Sequence, residues 1–332
     1  MKKIIIFGAT GNVGSYLTRY CSEYFDKNEY EIIAVGSRET AAFDEYGVKY
    51  INVNIKNIND FNRLPTDNIH AVMLLAAKIP SYMDEYDARE YLEVNIMGAF
   101  NVLEYCRKAK ADRILYTQTV FDISLHAGEN ITLPPDLERK FDYKGDHAVY
   151  VISKNTALEL IEHYHEEYGL KKFIFRLPTI YNYSPYHFYY PNGVKTKRPL
   201  YQMIEKAKLG EDIELWGNPN YAKDMVYVDD FSQMLCKAAT VENITKGFYN
   251  VGTGIPVTLQ EQIETIIDVF SPTEKKSKII FRPEKPYGGG FLMDVSNAKN
   301  ELGYSPKFSC RDLFEAYKKE MSLDRFDSLR KK

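Results

Sequence analysis

Tyr150 and Lys154 lie four residues apart in the string Tyr150-Val151-Ile152-Ser153-Lys154. On a helix this spacing puts both side chains on one face, one above the other. A free phenol titrates near pH 10, so acting as a base near neutrality requires a fall of about three units, roughly 4 kcal/mol. An ammonium about 4 Å away at an effective dielectric near 20 supplies about that much. The pair is therefore suited to moving a proton on and off a substrate hydroxyl. In a chain with 27 tyrosines the spacing alone carries little weight, and its value depends on its company.

That company begins at the N-terminus. Gly8-Ala9-Thr10-Gly11-Asn12-Val13-Gly14 follows an apolar run and opens an amphipathic stretch. Glycines at this spacing allow a tight turn, a close backbone approach to a pyrophosphate and close helix–strand packing. The helix N-terminus adds free N–H groups and partial positive charge for an anion. The reading is a dinucleotide site, the alternative a glycine turn without ligand. The next strand runs into Gly36-Ser37-Arg38 with no acid for the adenine ribose hydroxyls. Ser37 and Arg38 suit a 2′-phosphate, so the cofactor expected is NADP, with NAD possible. The bound oxidised nicotinamide would add a second positive charge beside Tyr150. Between loop and pair stands Leu115-Tyr116-Thr117-Gln118-Thr119-Val120-Phe121-Asp122. Thr117 is expected at the carboxyl edge of a strand, its hydroxyl on the substrate oxygen being deprotonated. The plainer reading is a strand threonine with a structural bond.

These residues need elements to hold them. Apolar runs at 4–7, 31–35, 50–53, 71–77, 113–117 and 173–176 read as strands. Amphipathic stretches at 12–25, 91–109 and 149–168 read as helices. This alternation predicts an α/β fold with a doubly wound parallel sheet of Rossmann type, covered on both faces. The pattern changes after Pro178, where 181–190 is a loop loaded with aromatics. Beyond it, 200–209, 260–270 and 310–321 read as helices, and 212–216 and 278–281 as extended. The division expected is a dinucleotide-binding domain over 1–178, joined again by 222–250, and a smaller α+β substrate domain over most of 179–332.

Composition narrows the class. The 332 residues are 45% hydrophobic and 27% charged, with a formal net charge of −3. That balance suits a globular protein and offers no basic footprint for nucleic acid. Cys21, Cys106, Cys236 and Cys310 stand too far apart for a metal cluster, so no metal is expected and a reducing, cytoplasmic compartment fits. The N-terminal apolar run ends at Gly8, so it reads as a strand rather than a signal peptide. No run approaches the roughly 20 apolar residues of a membrane span.

The glycine loop, the hydroxyl-bearing strand end and the Tyr-x3-Lys string, in this order, resemble the extended short-chain dehydrogenase/reductase family, in its nucleotide-sugar epimerase/dehydratase branch. Ala76-Ala77, Val94-Asn95 with Gly98, Asn101, Val102 and Leu103, the segment Asp224–Asp230, Tyr249-Asn250-Val251-Gly252, and the stretches 294–299 and 302–306 carry the resemblance through nearly the whole chain. It implies Tyr150 as general acid/base, Lys154 on the nicotinamide ribose and Thr117 in the Ser/Thr place. It implies Gly8, Thr10, Gly11, Asn12, Val13 and Gly14 at the pyrophosphate and Ser37, Arg38, Asn54 and Ile55 around the adenosine. Ala76, Ala77, Lys78 and Asn95 would line the cofactor's path, and Pro178 and Thr179 would lie beside the nicotinamide. A homodimer formed through 91–109 and 149–168 is also implied.

The departures bear on the reaction. Family 4,6-dehydratases carry Asp-Glu after the catalytic threonine, where this chain has Gln118-Thr119, so dehydration is disfavoured and these two become substrate contacts. Thr179 stands where many relatives have Asn. Lys223 stands where many have a diphosphate-binding Arg, and it lacks the bidentate fork. Arg282 is a candidate second phosphate contact. His187, in the aromatic loop, is either an acid/base beside a ketone or a packing histidine. The leading expectation is an NAD(P)-dependent epimerase or 4-keto reductase of a nucleotide-diphosphate sugar. The alternatives are an NADP-dependent reductase or dehydrogenase of a small alcohol or ketone without a nucleotide, and a non-catalytic cofactor-sensing regulator.

Overall fold

The computed structural model describes residues 1–80, 86–128, 130–145, 147–287, 289–323 and 325–329. Seven parallel strands form the central sheet: β1 (Lys2–Phe7), β2 (Tyr30–Gly36), β3 (Lys49–Asn52), β4 (Ile69–Leu74), β5 (Arg113–Thr119), β6 (Lys171–Leu177) and β7 (Phe248–Asn250). Their order is β7-β6-β5-β4-β1-β2-β3. The order reverses between β1 and β4, and in such sheets the crevice beyond the carboxyl ends at that point takes ligands.

Both faces of the sheet are covered. In β1, Ile4, Ile5, Ile6 and Phe7 are all fully buried, which explains the unbroken apolar run. Ile4 and Ile6 pack with Leu17 of helix α1 (Asn12–Tyr24) and with Phe231. Ile5 and Phe7 face the other layer, with Val102 and Leu103 of helix α2 (residues 88–108) and Leu158 and Ile161 of helix α3 (Ala148–Tyr168). Here α2 joins Ala88–Tyr91, a π-helical turn over Leu92–Met97 and a regular segment Gly98–Lys108. It begins earlier than the sequence predicts because the Asp87 side chain caps it, accepting from Arg89 N–H at 2.9 Å. Helix α3 spans Ala148–Tyr168 and ends at Gly169, which adopts the left-handed conformation a glycine tolerates.

The other α-helices among the described residues are α4 (Pro199–Leu209), α5 (Val228–Thr240), α6 (Leu259–Phe270), α7 (Ser296–Leu302) and α8 (Cys310–Leu323). The 222–250 stretch returns to the sheet: Phe248, Tyr249 and Asn250 pair with Ile174, Phe175 and Arg176. Short pairs fasten the rest. Ile213–Trp216 runs parallel to Ile279–Arg282, and Leu292–Met293 runs parallel to Thr132–Leu133 in the connection after β5.

One boundary matters for chemistry. β5 runs two residues beyond the expected 113–117, because Gln118 and Thr119 continue to pair with Arg176 and Leu177. The carboxyl edge of β5 is therefore Thr119 rather than Thr117.

Candidate active site

The loop after β1 is shaped by close approach. Gly8 has φ +89°, and a Cβ there would lie 2.6 Å from the backbone nitrogen of Ala76. A Cβ on Gly14 would lie 2.1 Å from the Gly8 carbonyl oxygen. Both positions thus require glycine. Gly11 caps α1 without a side chain, and the first α1-type bond is Ser15 N–H to Gly11 O. The N–H groups of Asn12, Val13 and Gly14 remain available to an anion. These N–H groups, with no side chain capping them, form a cradle that fits a pyrophosphate.

The cradle forms one end of a cavity of about 720 Å³. Its wall includes Arg38, Ala77, Thr117, Gln118, Thr119, Tyr150, Lys154, Pro178, Thr179 and His187. The structure thus gathers the glycine loop, the strand end and the Tyr/Lys pair into one space. Arg38 reaches over the loop and donates from Nη2 to Thr10 O at 3.1 Å.

The two central groups are held by burial. Tyr150 is pushed up to about 12, first by burial, with a hydrogen bond to the Thr119 side chain pulling it down and Asp122 pushing it up. Lys154 is pushed down to about 7 by burial. The lowering of Tyr150 expected from a neighbouring ammonium is absent: burial, Thr119 and Asp122 set it, while Lys154 Nζ lies over the Tyr116 ring. Tyr116, which sequence reasoning passed over, lies buried against Lys154. Its ring centroid lies 4.1 Å from Lys154 Nζ, and its hydroxyl donates to the Lys154 carbonyl at 3.1 Å.

The hydroxyls of β5 divide their work. Thr117 Oγ1 donates to Leu74 O at 3.3 Å, the structural bond of the plainer reading. Thr119 is the one that meets Tyr150. Gln118 is spent on its surroundings: Nε2 donates to Asn155 Oδ1 at 2.7 Å and Oε1 accepts from Thr119 N–H at 2.9 Å. Asn95 acts one layer back. It clamps the Lys78 backbone, accepting from its N–H at 2.8 Å and donating to its carbonyl at 3.0 Å, while also reaching Ser153 Oγ at 2.9 Å. The π-helical turn carries Asn95 into this position. Ala76 lies beneath Gly8. Ser37, Asn54 and Ile55 lie outside the cavity wall; Asn54 and Ile55 hold the turn after β3, where Asn101 donates to the Ile55 carbonyl at 2.8 Å.

A second cavity, about 770 Å³, adjoins the first through Asn12, Thr179, Ile180, Tyr186 and Arg198. Lys223 lines it, and although burial lowers its pKa, the phenols of Tyr181 and Tyr287 more than offset this and leave it raised. Arg282 does not reach either wall. It is paired with Glu214 at 3.1 Å, an acid that the pairing of Ile213–Trp216 with Ile279–Arg282 brings beside it. His187 stacks on Tyr201 with centroids 4.1 Å apart and is held below its ordinary pKa by burial. Charge is one-sided here. Among the described residues the first cavity's wall carries Arg38, Lys154, Lys195 and Arg198 and no carboxylate. The second adds Lys206 and Lys223 against Glu214, which Arg282 and Lys285 already neutralise. Arg198 and Lys195 had no signal in the sequence beyond their charge.

Among the described residues, no helix is long and apolar enough to cross a membrane. The sequence pattern of the NAD dependent epimerase/dehydratase family matches residues 4–252. A putative UDP-glucose 4-epimerase of Methanocaldococcus jannaschii is 24% identical over 318 residues, 93% of this chain and 95% of its own. Among solved structures, UDP-glucose 4-epimerase of Thermotoga maritima, with UDP-glucose, superposes with a TM-score of 0.73 at 20% identity, covering 97% of this chain and 99% of its own. UDP-glucuronic acid 4-epimerase of Bacillus cereus, in complex with NAD, gives 0.71 at 20% identity, covering 99% and 100%.

Proposed function

Because the chain belongs to the NAD-dependent epimerase/dehydratase family, we propose that it is an epimerase or keto-reductase of a uridine-diphosphate sugar, with Tyr150 moving the proton. The observation that carries this reading is the meeting of Tyr150, Thr119 and Lys154 in one cavity with the glycine loop, whose N–H groups no side chain caps. The uridine diphosphate is taken from the relatives with UDP-sugar substrates, and the surplus of cations along both cavities suits its charge.

The glycine loop and the start of α1 hold the cofactor's pyrophosphate. Arg38 beside Thr10 favours NADP, against the NAD seen in a structural relative. The nicotinamide, when bound, supplies the electron-pair acceptor and donor for the carbinol carbon. Everything else falls to the chain. Tyr150 is a phenol at neutral pH, ready to donate a proton to a developing alkoxide. In the opposite direction it must first lose that proton, which the hydrogen bond with the Thr119 side chain favours. Thr119 holds the phenol and presents a hydroxyl to the same substrate oxygen. Lys154, fixed over Tyr116, orients the cofactor's ribose.

Dehydration stays disfavoured with Thr119 in the catalytic place. Val120 and Phe121 follow it, and neither carries an acid or a base. Asp122 comes next but is fully buried and gripped by Arg176 at 2.9 and 3.1 Å. We also assign a homodimer through α2 and α3, whose exposed Leu92, Met97, Phe100 and Ile152 form an apolar outer face.

The test is turnover of UDP-sugars by the purified chain, with its cofactor identified by mass spectrometry. Tyr150→Phe should bind cofactor and UDP like wild type and lose turnover by about a thousandfold, within the range of acid–base contributions. Full turnover in that variant would sink the mechanism, and much tighter binding of NAD than of NADP would overturn the assignment to Arg38.

A further inference from the structure

Gln118 borders the first cavity and is 1% exposed. Both ends of its amide are engaged. Oε1 accepts from the backbone N–H of Thr119 at 2.9 Å, and Nε2 donates to Asn155 Oδ1 at 2.7 Å. These are the lengths of well-made bonds. The first fixes the peptide that carries Thr119. The second reaches α3 one residue past Lys154. Tyr116 stands two residues back in β5, on the same face of the strand. Its hydroxyl donates to the Lys154 carbonyl. β5 therefore holds α3 at two successive residues, and the outer hold is Gln118. An apolar side chain would fill such a buried place, whereas an amide bonded at both ends also fixes one arrangement.

We propose that Gln118 is a positioning residue: bridging Thr119 to Asn155, it sets the reach of the Thr119 hydroxyl to Tyr150. This rests on the reading of Tyr150 as the proton carrier. Thr119 belongs to β5 and Tyr150 to α3, so the bond between them depends on how the strand end sits against the helix. Thr119 is the last residue of β5, and its Oγ1 also accepts from Phe121 N–H at 3.2 Å as the chain turns away. The strand that fixes Thr119 thus ends with it. Gln118 supplies the hold that a further strand residue would give. Misplacing a catalytic group by about 1 Å costs on the order of a hundredfold in rate.

The experiment isotope-labels the tyrosines of the full chain at the ring carbon bearing the hydroxyl and reads them by carbon NMR. The Tyr150 signal is the one lost in Tyr150→Phe. It follows the hydrogen bonding of the phenol and needs no substrate. Thr119→Val should move it, and Gln118→Met should move it in the same direction. In the Thr119→Val background, Gln118→Met should move it no further. A side chain that merely supports the fold would shift the signal equally in both backgrounds. Asn155→Leu cuts the outer bond from a half-buried position and serves the same test should Gln118→Met not fold. On the UDP-sugar that wild type turns over, Gln118→Met should lower kcat about tenfold and leave KM within about twofold, the mark of an interaction made in the transition state.

Two results overturn the inference while leaving Tyr150 its role. One is a Tyr150 signal that stays in place in the variant, or moves equally with and without Thr119. The other is a raised KM with kcat unchanged. If Tyr150→Phe keeps full turnover, the reading of Tyr150 itself fails and takes the role of Gln118 with it.

Discussion

Lys154 is buried where water would otherwise stabilise its charge, and that has a consequence for stability. Its folded pKa is about 7 against an ordinary 10.5. Between these values the unfolded chain holds a proton the folded chain has released, so stability of the cofactor-free protein rises with pH across that window. Below about pH 7 the penalty is constant. Lys154→Met should remove this slope and raise the melting temperature at pH 7 by about 2–6 °C, the effect of one to two kcal/mol in a large domain, while abolishing turnover. Thermal melts at pH 7 and pH 10 check it, and a variant with the wild-type slope would refute it. The hydroxyls of β5 give a second contrast. Thr119→Val should lower kcat by about a hundredfold, the scale of one lost catalytic donor, and Thr117→Val should stay within about threefold. Equal losses in steady-state assays would deny Thr119 its role. The Tyr150–Lys154 spacing was legible because helical contacts are local in sequence. Their protonation was not, because burial depends on Tyr116 and on neighbours that no spacing reveals.

At the scale of elements, much of the sheet could be read directly. The glycine loop announces β1 and α1, and the apolar runs announce β2 to β6, since strands buried on both faces need apolar residues throughout. What went unread was set by partners far along the chain. β5 reaches Thr119 only because β6 continues beside it. Arg282 is occupied by Glu214 only because two remote segments pair as parallel strands. The π-helical turn that delivers Asn95 leaves no mark in a hydrophobic pattern, yet it fixes the backbone of Lys78. The exposed apolar residues of α2 and α3 carry a prediction of their own. Phe100→Glu combined with Ile152→Glu should convert a dimer to a monomer, as sedimentation velocity would show. A wild-type chain that sediments as a monomer would remove that interface.

For the molecule as a whole, the distribution of charge matters more than its sum. The chain is net negative by three, yet both cavities are lined with cations. A polyanionic ligand is therefore drawn to the cleft and not to the surface at large. Raising salt from about 0.05 to about 0.5 M should weaken UDP binding several-fold and leave uridine binding nearly unchanged, because screening acts on the phosphates. Equal salt dependence for both would place the phosphates away from these side chains.

The parallel pairing of Leu292–Met293 with Thr132–Leu133 also orders events in time. During synthesis, β1 to β5 are made within the first 119 residues, together with the glycine turn after β1. β7 follows more than 125 residues later, and the partner of Thr132–Leu133 later still. Contacts so distant in sequence are slow to form, and domains generally fold as units during translation. A nascent chain stalled before residue 290 would therefore display the glycine turn while the second strand of this clasp was not yet made. A dinucleotide bound there, as proposed, would act at that stage as a folding template before it ever served as a reactant.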